Sequence, residues 1–345
     1  MLARALDDAG VAARTSAVAA LVFALSPFAV YTYGWVATIA DLIWVGCALG
    51  ITRLTQRAPG TGLVTAGSAA LTCIALLSKE SAVAIPALAG LAWLLGGRRR
   101  AWMWATIGAG IPVAIYLALR AGVILTTPRD AGAYAWSLSS VPLRWFEYQV
   151  FAYLPKRIEM IHLMQTEPSK GSFWFAVAVW LAMLAAFARV GWRWAAAFVL
   201  LGFAALGPVL VLGQGGNHYA YGYAAVVVGL GAMAWGRADK AVRVVLVVAA
   251  LASSWHGVNI MRRMHEVGRI QAVFSPALSR AVHDATQLPV RLRLASPHQD
   301  WIFQRLTHQI PRYGEVEIGD RVQIVAADMP ADYVIGKDGA LTPGR

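Results

Sequence analysis

Residues 61–96 read TGLVTAGSAALTCIALLSKESAVAIPALAGLAWLLG, which is two apolar runs separated by the charged pair Lys79-Glu80. The first run, Thr61–Ser78, is long enough for a membrane helix, whereas the second, Ser81–Gly96, is shorter. An unpaired charge in hydrocarbon costs several kcal/mol. We therefore expect the pair at the boundary between water and lipid, or on the wall of a polar cavity.

The composition is that of a membrane protein. Hydrophobic residues make up 58% of the 345 positions and charged residues 14%, whereas a soluble domain has about 25% charged residues. The net charge is +12, but the basic residues cluster in short connections between apolar runs, as topology signals do. We therefore expect no nucleic-acid partner. The histidines and cysteines show no metal-ligand spacing, so no cofactor is evident and metal dependence stays open.

Apolar segments predict an all-α polytopic membrane domain over residues 15–258, with about nine transmembrane helices. Except for Lys79, the Lys and Arg residues of the short connections fall on every second connection, which is a positive-inside pattern. It places residues 1–14 in the cytoplasm, and the long loop 121–171 and residues 259–345 on the outer, periplasmic or extracellular side. The expected location is a bacterial inner membrane. The predicted segments are Thr15–Trp35, Val36–Leu54, Thr61–Ser78, Ser81–Gly96, Ala101–Arg120, Ser172–Ala188, Trp192–Gly213, Tyr219–Gly236 and Ala241–Val258.

Two stretches on the outer side have structure of their own. The aromatic stretch Val141–Pro155 suits a helix in the membrane interface, and equally a loop packed on the helix bundle. Beyond about Ser275 the sequence is that of a small soluble α/β appendage. Short strands are predicted at Val290–Leu294 and Arg321–Val325, with a helix at Gln299–His308.

Four sets of polar residues fall at the outer ends of the predicted helices. Cations bind phosphate, carboxylates transfer protons or orient hydroxyls, and aromatic rings stack on sugars. Each set also has a purely structural interpretation, as a helix cap, a contact with lipid headgroups or an aromatic belt. Their position on one face is what favours a site. The candidates are Asp41; Lys79 with Glu80; Lys156 with Arg157; and His218, Tyr219 and Tyr221.

The acidic pair Asp7-Asp8 is predicted on the opposite, cytoplasmic side. We therefore assign it to a solvated loop, away from the four sets.

Three stretches resemble the GT-C glycosyltransferases, in the branch that contains the transmembrane and tetratricopeptide-repeat mannosyltransferases and their bacterial relatives. The likeness covers roughly residues 15–235, and in the last stretch Asn-His stands where Glu-Arg is usual in the family. The three stretches are Phe23-Ala24-Leu25-Ser26-Pro27 with Trp35 and Ala40-Asp41-Leu42; Ala75-Leu76-Leu77-Ser78-Lys79-Glu80 with Pro86; and Asn217-His218-Tyr219-Ala220-Tyr221.

The resemblance implies an integral membrane enzyme that takes a sugar from a polyprenyl-phosphate donor. The acceptor would be a glycan, a lipid or a protein on the outer side of the membrane. In such an enzyme we expect phosphate contact from Lys79, Lys156 and Arg157, because ammonium and guanidinium groups hold phosphate oxygens, and orientation of donor or acceptor by Asp41 and Glu80. The sugar or lipid groove would be lined by Tyr219 and Tyr221, with His218 beside them.

The catalytic carboxylate of this family typically lies on the first outer loop, and no outer-facing acidic residue precedes Asp41. The resemblance therefore implies that two helices and the loop with the general base are absent, so the catalytic residue is unknown. A truncated or misplaced start, a partner subunit, or an inactive relative would each explain this. The competing class is a non-enzymatic membrane protein, either a transporter or flippase for a lipid-linked glycan or an accessory subunit.

Overall fold

The computed structural model describes residues 1–35, 38–57, 60–126, 137–156, 159–160, 163–213, 215–296, 300–308 and 310–344. The chain divides into two compact units, Met1–Met261 and Arg262–Arg345. The first unit is helical, and the second combines helices with a small sheet.

Helices account for most of the described part of the first unit. Four short 3-10 helices interrupt them in the described part of this unit: Glu80–Ala84, Leu138–Ser140, Gly207–Val211 and Asn217–Ala220. The long helix α13 (Lys240–His283) begins in the first unit and ends in the second. The preceding ones are α1 (Leu2–Asp8), α2 (Ala13–Ala24), α3 (Pro27–Tyr33), α4 (Ile39–Arg57), α5 (Thr61–Ser78), α6 (Ile85–Leu95), α7 (Arg100–Thr126), α8 (Val141–Phe151), α9 (Leu163–Thr166), α10 (Gly171–Val190), α11 (Trp192–Leu206) and α12 (Tyr221–Trp235).

Five helical stretches of the described chain are long and apolar enough to cross a membrane, and α2 with α3 forms a sixth if a bend of 66° is allowed. This confirms a mostly helical chain with several candidate membrane spans. The count of about nine stays a prediction, because α12 has only 15 residues and Ser81–Gly96 begins as a 3-10 helix. The five stretches are Thr61–Ser78, Arg100–Val123, Gly171–Val190, Trp192–Val211 and Lys240–His283.

The predicted segment Thr15–Trp35 is two helices and not one, and the reason lies in Ser26-Pro27. Proline has no N–H for the helix ladder, so it is tolerated in the first turn of a new helix. The Ser26 hydroxyl caps that helix by accepting a hydrogen bond from the backbone N–H of Ala29 at 3.2 Å. The chain therefore ends α2 and starts α3 in a new direction.

Glycines let the helices of the first unit approach closely. Gly222 of α12 faces the ring of the buried Trp44 on α4, at a separation that leaves no room for a Cβ atom. Gly108 of α7 faces the backbone carbonyl of Thr65 on α5 in the same way. In lipid, where the hydrophobic drive between helices is weak, such small-residue contacts hold helices together through packing.

The N-terminal helix α1 is docked on the bundle, so the assignment of Asp8 to a solvated loop is wrong. Leu2 and Leu6 are buried. The Asp8 carboxylate, 2% exposed, accepts a hydrogen bond from Arg53 Nε at 2.9 Å and pairs with Arg57. The hydrogen bond from Arg53 is the main cause that holds the pKa of Asp8 below its usual value of 3.8.

The second unit contains a four-stranded mixed sheet, which confirms the predicted α/β appendage. Its strand order is β4-β1-β5-β6, with β1 parallel to both β4 and β5 and with β6 antiparallel to β5. One face packs on the C-terminal part of α13 and on α14 (Asp300–His308). The strands are β1 (Val290–Leu294), β2 (Arg312–Tyr313), β3 (Val316–Glu317), β4 (Val322–Val325), β5 (Tyr333–Ile335) and β6 (Leu341–Pro343).

Replacing Gly222 by alanine should destabilise the bundle, because the new Cβ atom would meet the rigid ring of Trp44. We expect a cost of about 1–3 kcal/mol, seen as a lower midpoint of thermal unfolding in detergent. Gly229→Ala is the matched control, since nothing lies within 4 Å of a Cβ on Gly229 in the same helix. Equal midpoints for the two variants would contradict the close contact.

The Asp8 ion pairs should make the docking of α1 depend on pH. Because the folded pKa of Asp8 is lowered, its contribution to stability is present above the unfolded pKa and is lost as pH falls through the folded value. Asp8→Asn should therefore lower the unfolding midpoint at pH 6, and its difference from wild type should shrink below pH 3.8. Asp7→Asn, at the exposed neighbouring carboxylate, should match wild type throughout.

Candidate functional site

The candidate site is built around Lys79, the residue that follows α5. Its backbone is extended, with φ −154° and ψ 134°, and its Nζ lies 3.2 Å from Oδ2 of Asp41 in the first turn of α4. Trp44 Nε1 donates a hydrogen bond of 3.3 Å to the other oxygen, Asp41 Oδ1. The Asp41 side chain is fully buried and that of Lys79 is 18% exposed. The pair therefore joins the end of α5 to the start of α4.

Aromatic rings form the second part of the site. Lys79 Nζ lies 5.3 Å from the centre of the Tyr219 ring, within the range of a cation–π interaction. The His218 ring is 4.1 Å from that of Tyr219, and it stacks on Tyr31 of α3 at 6.3 Å with an interplanar angle of 16°. Trp35 meets His218 edge-on at 5.8 Å. The cation is thus bordered by an aromatic wall.

The segment that carries His218 and Tyr219 is held in place by α8 and the residues after it. Tyr148, which is fully buried in α8, donates a hydrogen bond of 3.2 Å from its hydroxyl to the Gly216 carbonyl. The Asn217 side-chain oxygen accepts a hydrogen bond of 3.0 Å from the backbone N–H of Met160. These contacts fix the aromatic wall relative to α8.

A buried ion pair on α8 is a feature that the sequence reading missed. Arg144 Nη1 lies 2.6 Å from Glu147 Oε2, and Arg144 Nη2 donates to the Gly213 carbonyl at 2.5 Å. Glu147, 3% exposed, also accepts a hydrogen bond of 3.1 Å from the Met164 backbone N–H. The sequence does contain a signal for this pair, because Arg144 and Glu147 are three residues apart and a helix brings residues at that spacing together.

The structure takes one part of each interpretation of the aromatic stretch Val141–Pro155, since it shows a helix that packs on other helices. The C-terminal half of α8 is buried in the protein, including Tyr148 and Phe151 with no exposed surface. Trp145 and Phe146 meet the ring of Trp180 on α10 at 5.7 and 6.2 Å. Val141–Phe151 is therefore a helix whose C-terminal half packs on the bundle.

The remaining predicted residues are placed around this centre. Glu80 is exposed and its Oε1 lies 3.7 Å from Arg120 Nη2, so Lys79 pairs with Asp41 rather than with its sequence neighbour. The Tyr221 ring contacts Phe23 at 4.9 Å, on α2. Lys156 follows α8 with an exposed side chain, and Arg157 lies outside the described residues.

The geometry determines what this site can do. An ammonium group has three N–H donors. The Asp41 carboxylate and the Tyr219 ring occupy part of the coordination of Lys79, and the exposed part can bind an anionic oxygen. The Asp41 side chain has no exposed surface, so its position suits holding the cation in place. Within the described ranges, no three His, Cys, Asp or Glu side chains cluster as a metal site would require.

Comparison with known proteins gives no family: no family model, no curated protein and no solved structure matches the chain. The fold and helix composition define its class. The chain is a candidate multi-pass membrane protein with five or six candidate spans and a small mixed sheet at its C-terminal end.

The pair of Lys79 with Asp41 should behave as a coupled unit in stability measurements. Lys79→Gln leaves a buried carboxylate without its cation and should cost about 3 kcal/mol. Asp41→Asn in the same chain should restore most of this loss, because no buried charge then remains. Glu80→Gln is the control, and it should change stability by less than about 1 kcal/mol because Glu80 is exposed. Additive effects of the two pair substitutions would show that the residues are not coupled.

Proposed function

We propose that this chain is a GT-C glycosyltransferase-like membrane protein whose Lys79 site binds the phosphate of a polyprenyl-phosphate-linked sugar. The observation that carries the proposal is the convergence of Asp41, Lys79 and Tyr219, which come from three separate segments of the chain. These are also residues of the three stretches that resemble the family.

The charge of Lys79 suits a phosphate ligand. Its carboxylate partner is fully buried, whereas the ammonium group is partly exposed. A hydrogen bond between an ammonium group and a phosphate oxygen is charge-assisted, and it is stronger than a neutral one. A ligand phosphate would therefore add to the Asp41 contact, and it would compensate the exposed part of the cation.

The rings next to Lys79 suit a sugar or an isoprenoid group. Tyr219 and His218 present aromatic surface within a few ångströms of the cation, and Trp35 extends this surface. Tyrosine combines an apolar ring with a polar hydroxyl, which matches a ligand that is apolar at one end and hydroxylated at the other. Under this proposal the phosphate lies at Lys79, and the adjoining sugar lies along the rings.

In this proposal, the role of Asp41 and of Glu80 follows from how exposed each side chain is. Asp41 positions Lys79, since it is buried and already paired. Glu80 is exposed beside the site and close to Arg120, so it is the carboxylate that can orient an acceptor hydroxyl. Lys156 and Arg157 are proposed as further phosphate contacts, because their ammonium and guanidinium groups can donate to phosphate oxygens. The acceptor lies on the outer side of the membrane in this proposal.

A second candidate is a non-enzymatic protein that binds a lipid-linked glycan, as a transporter or as an accessory subunit. The burial of Asp41 favours it, because a carboxylate paired with Lys79 and without exposed surface cannot act as a general base on a bound acceptor. Both candidates require binding at Lys79, and they differ in sugar transfer.

Binding of a polyprenyl-phosphate sugar should depend on Lys79. We expect the variant with both Lys79→Gln and Asp41→Asn, which retains no buried charge, to bind at least about tenfold more weakly, because it lacks a charge-assisted hydrogen bond. Binding to the purified full chain is measured by retention of a radiolabelled donor, with Lys337→Ala as control, since Lys337 is an exposed lysine of the second unit.

The same samples separate the two candidates. If the double variant binds the donor with wild-type affinity, the proposed binding at Lys79 is wrong. Donor binding together with transfer to an endogenous acceptor in membranes supports the enzyme. Donor binding without transfer favours the non-enzymatic protein.

A further inference from the structure

A narrow apolar groove runs through the first unit between α2, α12 and α13. Its volume is about 290 Å³, and its walls are almost entirely aliphatic or aromatic. The residues of α2 that line it recur every three or four positions, so one face of that helix forms a wall along its whole length. They are Arg14, Thr15, Val18, Ala19 and Val22.

One end of the groove is basic. The ring of Phe23 on α2 lies 4.9 Å from that of Tyr221 at the start of α12, so α2 and α12 run in opposite directions. Arg14 at the start of α2 therefore lies near the end of α12, where Trp235 also lines the groove. The Arg243 guanidinium, in the first turn of α13, lies 5.4 Å from the Trp235 ring.

The cations at this end are available to a ligand. Both Arg14 and Arg243 are exposed. The nearby carboxylate of Asp239 is already engaged, since it pairs with Arg189 Nε at 2.6 Å and accepts a hydrogen bond from the Val242 backbone N–H at 2.9 Å. Within the described chain, neither Arg14 nor Arg243 forms an ion pair with a carboxylate.

The length of the groove matches a lipid chain. The twelve steps from Tyr223 to Trp235, which both line the groove on α12, correspond to about 18 Å along a helix, and one leaflet of the hydrocarbon core is about 15 Å thick. Over that length, a volume of about 290 Å³ gives a channel about one carbon chain wide. A helix of a second chain is at least about 10 Å across and does not fit.

We propose that this groove binds one acyl chain of an anionic glycerophospholipid, with the lipid phosphate at Arg14 and Arg243. Basic pockets between membrane helices on the cytoplasmic side are typical sites for anionic headgroups, and a tryptophan at the mouth suits the headgroup depth. The site is distinct from the Lys79 site, which lies near the opposite ends of α2 and α12, and the inference does not depend on the proposed function.

The test is native mass spectrometry of the full chain, purified in detergent with added phosphatidylglycerol or with phosphatidylcholine of identical acyl chains. Wild-type protein should retain one molecule of phosphatidylglycerol, and it should retain clearly less phosphatidylcholine. Arg14→Gln and Arg243→Gln should each weaken retention about fivefold, because each basic residue contributes about 1 kcal/mol to the attraction for an anionic lipid. Arg99→Gln, at an exposed basic position between α6 and α7, is the matched control and should leave retention unchanged.

A groove-filling variant tests the acyl chain separately. Gly231 lines the groove, and a Cβ atom there would make only an ordinary contact of 3.7 Å with Leu246. Gly231→Leu should therefore fold and abolish retention of phosphatidylglycerol. Gly122→Leu on α7, where a Cβ has open space, should retain the lipid.

Three results would overturn the inference. Equal retention of the two lipids by the wild-type protein would show that the lipid charge is not recognised. A loss in Arg99→Gln equal to that in Arg14→Gln would make the charge effect nonspecific. Unchanged retention in Gly231→Leu would place the lipid elsewhere. The wild-type comparison of the two lipids stands even if a variant fails to fold.

Discussion

The arrangement of the helix ends around the candidate site depends on the ion pair of Lys79 with Asp41. A cation next to long apolar helices requires a partner, because an isolated charge there is costly. The partner is the buried carboxylate of Asp41 at the start of α4, whose Oδ2 lies 3.2 Å from Lys79 Nζ. This one contact fixes the junction between α5 and α6 against the start of α4, and it presents the cation to Tyr219.

The same end of the unit is held by hydrogen bonds between irregular segments. The bond from Tyr148 to the Gly216 carbonyl and that from the Met160 N–H to Asn217 satisfy polar groups that a helix would otherwise satisfy internally. Irregular backbone within a membrane protein is tolerated where it is buried in protein or lines a cavity. The chain is irregular at the break between α5 and α6 and in the segment before α12. The candidate site lies where these two irregular segments meet.

The two proposed ligand sites differ in how their charges are treated. Lys79 is compensated by Asp41 and partly buried, so its geometry is defined before any ligand arrives. Arg14 and Arg243 are exposed at the mouth of an apolar groove, where a ligand phosphate would supply the compensating charge. The first arrangement suits selective recognition, whereas the second suits a structural lipid.

The sequence by itself determined the membrane class, most helical segments and the α/β character of the C-terminal unit, because hydrophobic runs and strand patterns are local properties of the chain. It also identified Asp41, Lys79 and Tyr219 as residues of interest. Only the tertiary structure decided that Lys79 pairs with Asp41 and not with Glu80, that Asp8 is bound by arginines of α4, and that α8 is buried. These outcomes depend on which segments meet in space, and residue spacing along one chain does not contain that information.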